Sequence, residues 1–225
     1  MILAINSSTA QYSIALIKPD GIIAAEYMVI PKGNTFTGFI PAIDMLFSST
    51  GFDPSNIKAV AAAKGPGSFT GLRVGLSAAK GIAYSRGIPL IAVSSLDAIA
   101  SPLSFTGMPV CAMIASRREE VFYAMYKKVG DDLVRESDIK GKGISEIGTM
   151  FNEPTVVVGN DYIKQKVRVM ESSNSMIILA GENHWNLRAS SVGILALKRF
   201  RNNDFDNLTD VVPDYIAAPD IRPPG

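Results

Sequence analysis

Two short stretches, Asn6-Ser7-Ser8-Thr9 and Lys64-Gly65-Pro66-Gly67-Ser68-Phe69-Thr70-Gly71, hold the hydroxyls, amides and glycines suited to binding an anion or activating a nucleophile. A phosphate-cradling P-loop needs Gly, four residues, then Gly-Lys-Ser/Thr; counted from Gly65 the second Gly falls on Thr70, and from Gly67 on Leu72, so that chemistry is absent. The dinucleotide fingerprint fails by one position, because Thr70 stands where its last Gly belongs and Gly71 follows too late. Two readings survive: backbone amides at a helix start that hold an anion, or a tight strand-to-helix turn. Ser68 as the nucleophile of a peptidase would need Gly at Pro66 and Thr70. His184 is the sole histidine, which excludes His-pair zinc sites within the chain and leaves it as the only imidazole for a Ser or Cys nucleophile. Its surroundings, Gly181 to Asn186, read as a polar loop with Trp185 inserted, so a surface or capping role is the alternative.

The bulk composition narrows the class. With 22 Lys+Arg against 21 Asp+Glu, a net charge of +1 and 47% hydrophobic residues, the 225-residue chain has the makeup of a folded globular protein. No like-charged run offers phosphate neutralisation, so any nucleic-acid role is shared with a partner. Cys111 has no cysteine to pair with and lies in the apolar run Val110 to Ile114, which fits a buried thiol in a reducing cytoplasm. The start of the sequence lacks a signal-peptide pattern, and no run reaches the ~18 apolar residues of a membrane helix.

Periodicity supplies the framework around these stretches. Ile2 to Ile5, Tyr12 to Ile17 and Ile22 to Ile30 read as three strands of an antiparallel meander, separated by polar turn residues. Pro41 to Phe47 has helical spacing. Ile57 to Ala63 is an apolar strand running into the glycine elbow, Leu72 to Ser85 a helix stopped by Gly87 and Pro89, and Leu90 to Val93 a strand followed by a helix through Ala100. This is a parallel crossover. The second half offers strands at Val110 to Ala115, Val121 to Val129 and Thr155 to Val158, a loose polar stretch from Gly130 to Glu153, a helix over Ala189 to Phe200 and a proline-bounded tail from Pro213 to Pro224. The lobe boundary falls near Ser101 to Gly107, and no short internal repeat is visible.

Within the Leu72 to Ser85 helix, Gly71, Gly75 and Ala79 recur every fourth residue, giving a smooth face beside a stripe of Arg73, Ser77, Lys80 and Tyr84. Glycine inside a helix costs about 1 kcal/mol relative to alanine, so Gly75 and Gly81 imply that proximity to something matters more than propensity. Internal packing and a subunit interface both satisfy that requirement.

Ile2 to Thr9, the run Lys64 to Gly75, Gly87-Ile-Pro-Leu90, Val93 to Leu96 and Arg117-Arg-Glu-Glu-Val121 together resemble the TsaB (YeaZ) family, with weaker support from Gly159-Asn-Asp161 and Pro213-Asp-Tyr215. The resemblance implies an α/β, actin-like, ribonuclease-H-type fold with mixed sheets, an N-terminal lobe over 1–103 that carries the elbow, and a C-terminal lobe with extended tail over 104–225. It implies a non-catalytic partner of TsaD, the ATP- and metal-dependent subunit that transfers threonylcarbamoyl to a tRNA adenosine, with TsaE as a further ATPase component.

The sequence departs from the family pattern at Asn6, where an Asp is usual, at Ser116, and at Thr35 or Phe36, where a His is common. Phosphoryl transfer needs positioned carboxylates and cations, so these departures argue against hydrolysis by the chain alone. The expectation is therefore a scaffold with no catalytic residue, metal or cofactor of its own, ATP or ADP at the TsaD interface, tRNA reached only through the complex, and a homodimer when alone. The candidate docking residues are Phe39, Ile43, Phe47, Phe69, Arg73, Leu76, Lys80 and Tyr84. The candidate anion or nucleotide contacts are Asn6, Ser8, Thr9, Gly65, Gly67 and Ser68. A stand-alone nucleotide-binding module and a glycoprotease-like peptidase are the alternatives.

Overall fold

Apolar runs without polar alternation suit strands covered on both faces, and the computed structural model, which describes residues 1–31, 36–116, 119–171 and 174–216, places them so. Strands β1 (Ile2–Asn6) and β2 (Tyr12–Ile17) are buried along their whole length. They pair antiparallel from Ile2 opposite Ile17 to Asn6 opposite Ser13. Strand β3 (Ile23–Val29) closes the meander as a half-exposed edge, while β4 (Ala59–Gly65) and β5 (Leu90–Ser94) extend the sheet in parallel, giving the order β3-β2-β1-β4-β5.

Helix α1 (Phe39–Thr50) packs on β2 and β3, and α2 (Phe69–Arg86) on β4 and its neighbours. Both share one apolar layer with Leu3, Ile5, Ile14, Leu16 and Val60. The α1 helix starts two residues before the predicted Pro41 and runs three past Phe47; α2 starts at Phe69 because the Ser68 hydroxyl caps the Gly71 amide. Ser95 to Ala100 forms α3.

The second half repeats the same path with other residues. Strands β6 (Val110–Ala115), β7 (Glu120–Val129) and β8 (Asp132–Arg135) form a meander, and β10 (Thr155–Val158) and β11 (Ile177–Leu179) add in parallel beside β6. The likeness lies in strand order and not in residue pattern, which is why no repeat shows in the sequence. The stretch read as loose and polar, 130–153, instead holds β8, a second partner of β7 in β9 (Lys140–Gly143), and the single turn α4 (Ile144–Ile147). Strands of four residues, two of the four in β9 lysines, are too short for alternation to register.

Helix α5 (Tyr162–Met170) and β11 were also unanticipated. The α5 helix exposes Ile163 and Val167 and buries Gln165 and Val169, so its apolar spacing points away from its packed side, and its start is marked only by the Asp161 carboxylate accepting from the Lys164 amide.

Helix α6 (Ala189–Arg201) lies between the sheets, with its main contacts on β1, β2 and β4 of the first. One continuous core joins it to both sheets and contains Trp185, which donates from Nε1 to the Ala180 carbonyl at 2.9 Å, and Cys111, whose thiol burial pushes up to about 12. After α6 the chain returns to the first sheet: Arg199 holds Asp204 and Asp206, and Asp206 accepts from the Ala92 amide at 2.7 Å. No described helix is long and apolar enough to cross a membrane.

Candidate functional site

The turn after β1 and the elbow after β4 meet. The Ser68 amide donates to the Ser8 carbonyl at 2.7 Å, and the Ser7 hydroxyl donates to the Gly71 carbonyl at 2.7 Å. A Cβ on Gly67 would collide with the Ser8 backbone, one on Gly71 with the Ser7 carbonyl, and one on Gly75 with the Ser7 hydroxyl. The small face of α2 is therefore occupied by the turn between β1 and β2. Of the two readings that spacing left open, internal packing accounts for Gly71 and Gly75. The elbow amide of Ser68 and the capped amide of Gly71 are likewise engaged within the chain.

Asn6 sits behind this junction, fully buried. Its Oδ1 accepts from the Ser8 amide at 3.0 Å and the Ser8 hydroxyl at 2.8 Å, while Nδ2 donates to the Leu187 carbonyl at 2.9 Å. The Ala189 amide donates to the Ser13 hydroxyl alongside. Asn6 thus ties the first sheet to the start of α6. An Asp would turn the donor toward Leu187 into a second acceptor and bury its charge, so the amide belongs to this bonding pattern.

A cleft of about 370 Å³ opens between the lobes, lined by Ser8, Thr9, Ser68 and Thr70 on one side and Asn160 and Lys164 on the other. It presents hydroxyls and amides beside apolar Pro31, Phe36 and Ile114, and its Lys164 amine is paired with the Asp161 carboxylate at 3.1 Å. Ser116 and Phe36 reach the same cleft; Thr35, Arg117, Arg118 and the tail from residue 217 lie outside the described residues. Gly65 is turned away, under the Asp214 backbone. His184 lies elsewhere, half-buried in a short turn with its ring 6.0 Å from that of Phe105.

The predicted docking residues divide by depth. Phe39, Phe47 and Leu76 belong to the core beneath α1 and α2, so they hold the helices in place and do not present a surface. Ile43 and Lys80 are half-buried. Phe69, Arg73 and Tyr84 are exposed, Tyr84 at 82%. Sequence reasoning missed Ile40 and Met45, 60% and 56% exposed on the outer side of α1, and Tyr215, which stacks on Phe69 with ring centroids 5.1 Å apart. Helical spacing does not single them out, since Ile40 lies seven residues before the buried Phe47 and Met45 three after the buried Ala42. Tyr215 is 142 residues from Arg73, beyond any local pattern.

Two sheets of matching order joined across a cleft define a two-lobed α/β protein of the actin-like class. YeaZ from Pseudomonas aeruginosa matches over 96% of this chain and 99% of its own, with TM-score 0.78 at 20% identity. Component A of (R)-2-hydroxyglutaryl-CoA dehydratase from Acidaminococcus fermentans shares the fold at TM-score 0.53 and 10% identity, covering 88% of this chain and 98% of its own. In sequence, the family model described as TsaD, tRNA N6-adenosine threonylcarbamoyltransferase, matches residues 37–222. The tRNA threonylcarbamoyladenosine biosynthesis protein TsaB of Bacillus subtilis is 29% identical over 96% of this chain and 93% of its own length. TsaB of Escherichia coli is 34% identical over 56% of this chain and 55% of its own. The chain belongs to the TsaB (YeaZ) family of tRNA threonylcarbamoyladenosine biosynthesis proteins.

Proposed function

We propose that the chain serves tRNA threonylcarbamoyladenosine biosynthesis as a non-catalytic subunit that docks on TsaD through the outer faces of α1 and α2, with TsaE joining the assembly, and that two copies pair through the same face when TsaD is absent. The observation that carries this reading is the outer face of α2. Arg73, Ser77, Gly81 and Tyr84 are exposed there, and Ile40 and Met45 are exposed on α1, which shares the apolar layer beneath α2. Clustered exposed aromatic and aliphatic side chains flanked by polar ones suit a protein interface. The engagement of Asn6 in structural hydrogen bonds supports the non-catalytic part, because the position offers neither a carboxylate nor a free amide to a phosphate or its metal.

On this reading ATP or ADP belongs at the TsaD interface, tRNA is reached through the complex, and the assembly works in the cytoplasm. A second reading, a nucleotide held by this chain alone, draws on the hydroxyl and amide lining of the interlobe cleft. Titration of ATP into the isolated chain separates the two, since the scaffold reading expects no heat of binding. The direct test is threonylcarbamoyl transfer to tRNA by the cognate TsaD and TsaE, supplied with a threonylcarbamoyl donor. Product should depend on this chain and survive Ser68→Ala, which removes the peptidase nucleophile. Equal product without the chain contradicts the proposal.

A further inference from the structure

We propose that Tyr215 and Phe69 hold Arg73 as a preformed fork for a carboxylate on the docking partner, so that the returning C-terminal segment is part of the docking face. The inference rests on the docking role above and adds the chemistry of the contact. The segment is fixed at the elbow, where the Asp214 amide donates to the Lys64 carbonyl at 2.8 Å and the Asp214 carboxylate pairs with the Lys64 amine at 3.3 Å. Its fit is close, because a Cβ on Gly65 would lie 2.9 Å from the Asp214 carbonyl oxygen.

Tyr215 is thereby set beside the first turns of α2. The Arg73 Nε donates to the Tyr215 hydroxyl at 2.9 Å, and the guanidinium carbon stands 3.8 Å from the centre of the Phe69 ring. An exposed arginine ordinarily samples many rotamers; here a stacking face and one donor are committed, and the two terminal nitrogens have no partner among the described residues. Two parallel N–H donors held outward match the geometry of a carboxylate. Ordering the fork in advance removes the loss of freedom that binding would otherwise impose.

Charge gives the partner's character. The α2 helix carries Arg73, Lys80 and Arg86 and no Asp or Glu, and neither Arg73 nor Lys80 forms an ion pair among the described residues. An acidic surface complements this face. Exposed Ile40 and Met45 on α1, which shares the apolar layer beneath α2, favour protein over nucleic acid, since exposed aliphatic groups add nothing to phosphate binding. A second copy brings the same cations, so self-pairing is the weaker association.

The test is calorimetric titration of the full chain with cognate TsaD at low and moderate salt. Arg73→Lys should weaken binding about tenfold, since it keeps the charge and loses the fork. Tyr215→Ala should weaken it about fivefold and Tyr215→Phe about twofold, with melting temperatures unchanged. In an Arg73→Ala background the Tyr215→Ala effect should vanish, which a merely structural Tyr215 would not produce. Added salt should weaken the wild type more than Arg73→Ala.

Wild-type affinity in Tyr215→Ala, or full additivity with Arg73→Ala, overturns the inference while leaving docking in place. Loss of tRNA binding with TsaD binding intact in Arg73→Lys also overturns it. If the wild-type chain does not bind TsaD, both this inference and the proposed function fall.

Discussion

The inward face of α2, Gly71, Gly75 and Ala79, is free of bulk, whereas its outward face carries Arg73, Ser77, Gly81 and Tyr84; both hold a glycine inside the helix. The inward glycines have a visible cause, the Ser7-Ser8 turn that would collide with any side chain there. Around Gly81 nothing lies within 4 Å of where a Cβ would stand. The inward glycines thus bring the helix against its own sheet, whereas Gly81 leaves the outer side of α2 open between Ser77 and Tyr84. In sequence Gly75 and Gly81 carry the same propensity cost. Only the tertiary contact separates packing from an unfilled surface.

The largest effect is expected from giving Gly71 a side chain. Gly71→Ala drives a methyl into the Ser7 carbonyl, a backbone atom that cannot swing away, so unfolding free energy in urea should drop by about 3 kcal/mol or more. A loss below about 0.5 kcal/mol would mean that the turn yields and that the inward glycines are not set by contact. The outward site should respond with the opposite sign and less force. Gly81→Ala should raise stability by up to about 1 kcal/mol through helix propensity, and at the same time weaken association with TsaD if the partner approaches the helix closely there. A variant that is more stable and binds as well as the wild type would make Gly81 irrelevant to docking.

Much of the N-terminal half was legible because its signals are local. The meander, the crossover and both helices follow from apolar runs, turn residues and the Gly87 and Pro89 stop, while the Ser68 cap that starts α2 at Phe69 does not. In the second half β8, β9 and β11 are too short to show a period, and α5 points its apolar residues outward. The candidate site was legible in part. Arg73, Phe69 and Tyr84 could be placed on the outer stripe of α2, but spacing alone did not distinguish Phe39, Phe47 and Leu76, which the sheet covers, from the exposed Ile40 and Met45. Likewise Asn6 was visible as a departure from a carboxylate, while its bond to the Leu187 carbonyl depends on a contact 181 residues away. Tyr215 and Asp214 reach the elbow only because Arg199, Asp204 and Asp206 turn the chain back after α6.

The account stands on α1 and α2 meeting TsaD with their outer faces, and light scattering coupled to size exclusion measures that directly. The chain alone, the chain with cognate TsaD, and an Arg73→Glu, Tyr84→Glu variant are compared; these positions are exposed, so the variant should melt with the wild type, whereas Leu76→Asp would strike the core. The account predicts a homodimer that gives way to a 1:1 complex with TsaD, and a variant that forms neither. A variant that still forms the complex would place the interface elsewhere, and a wild-type chain that stays monomeric and ignores TsaD would contradict the account.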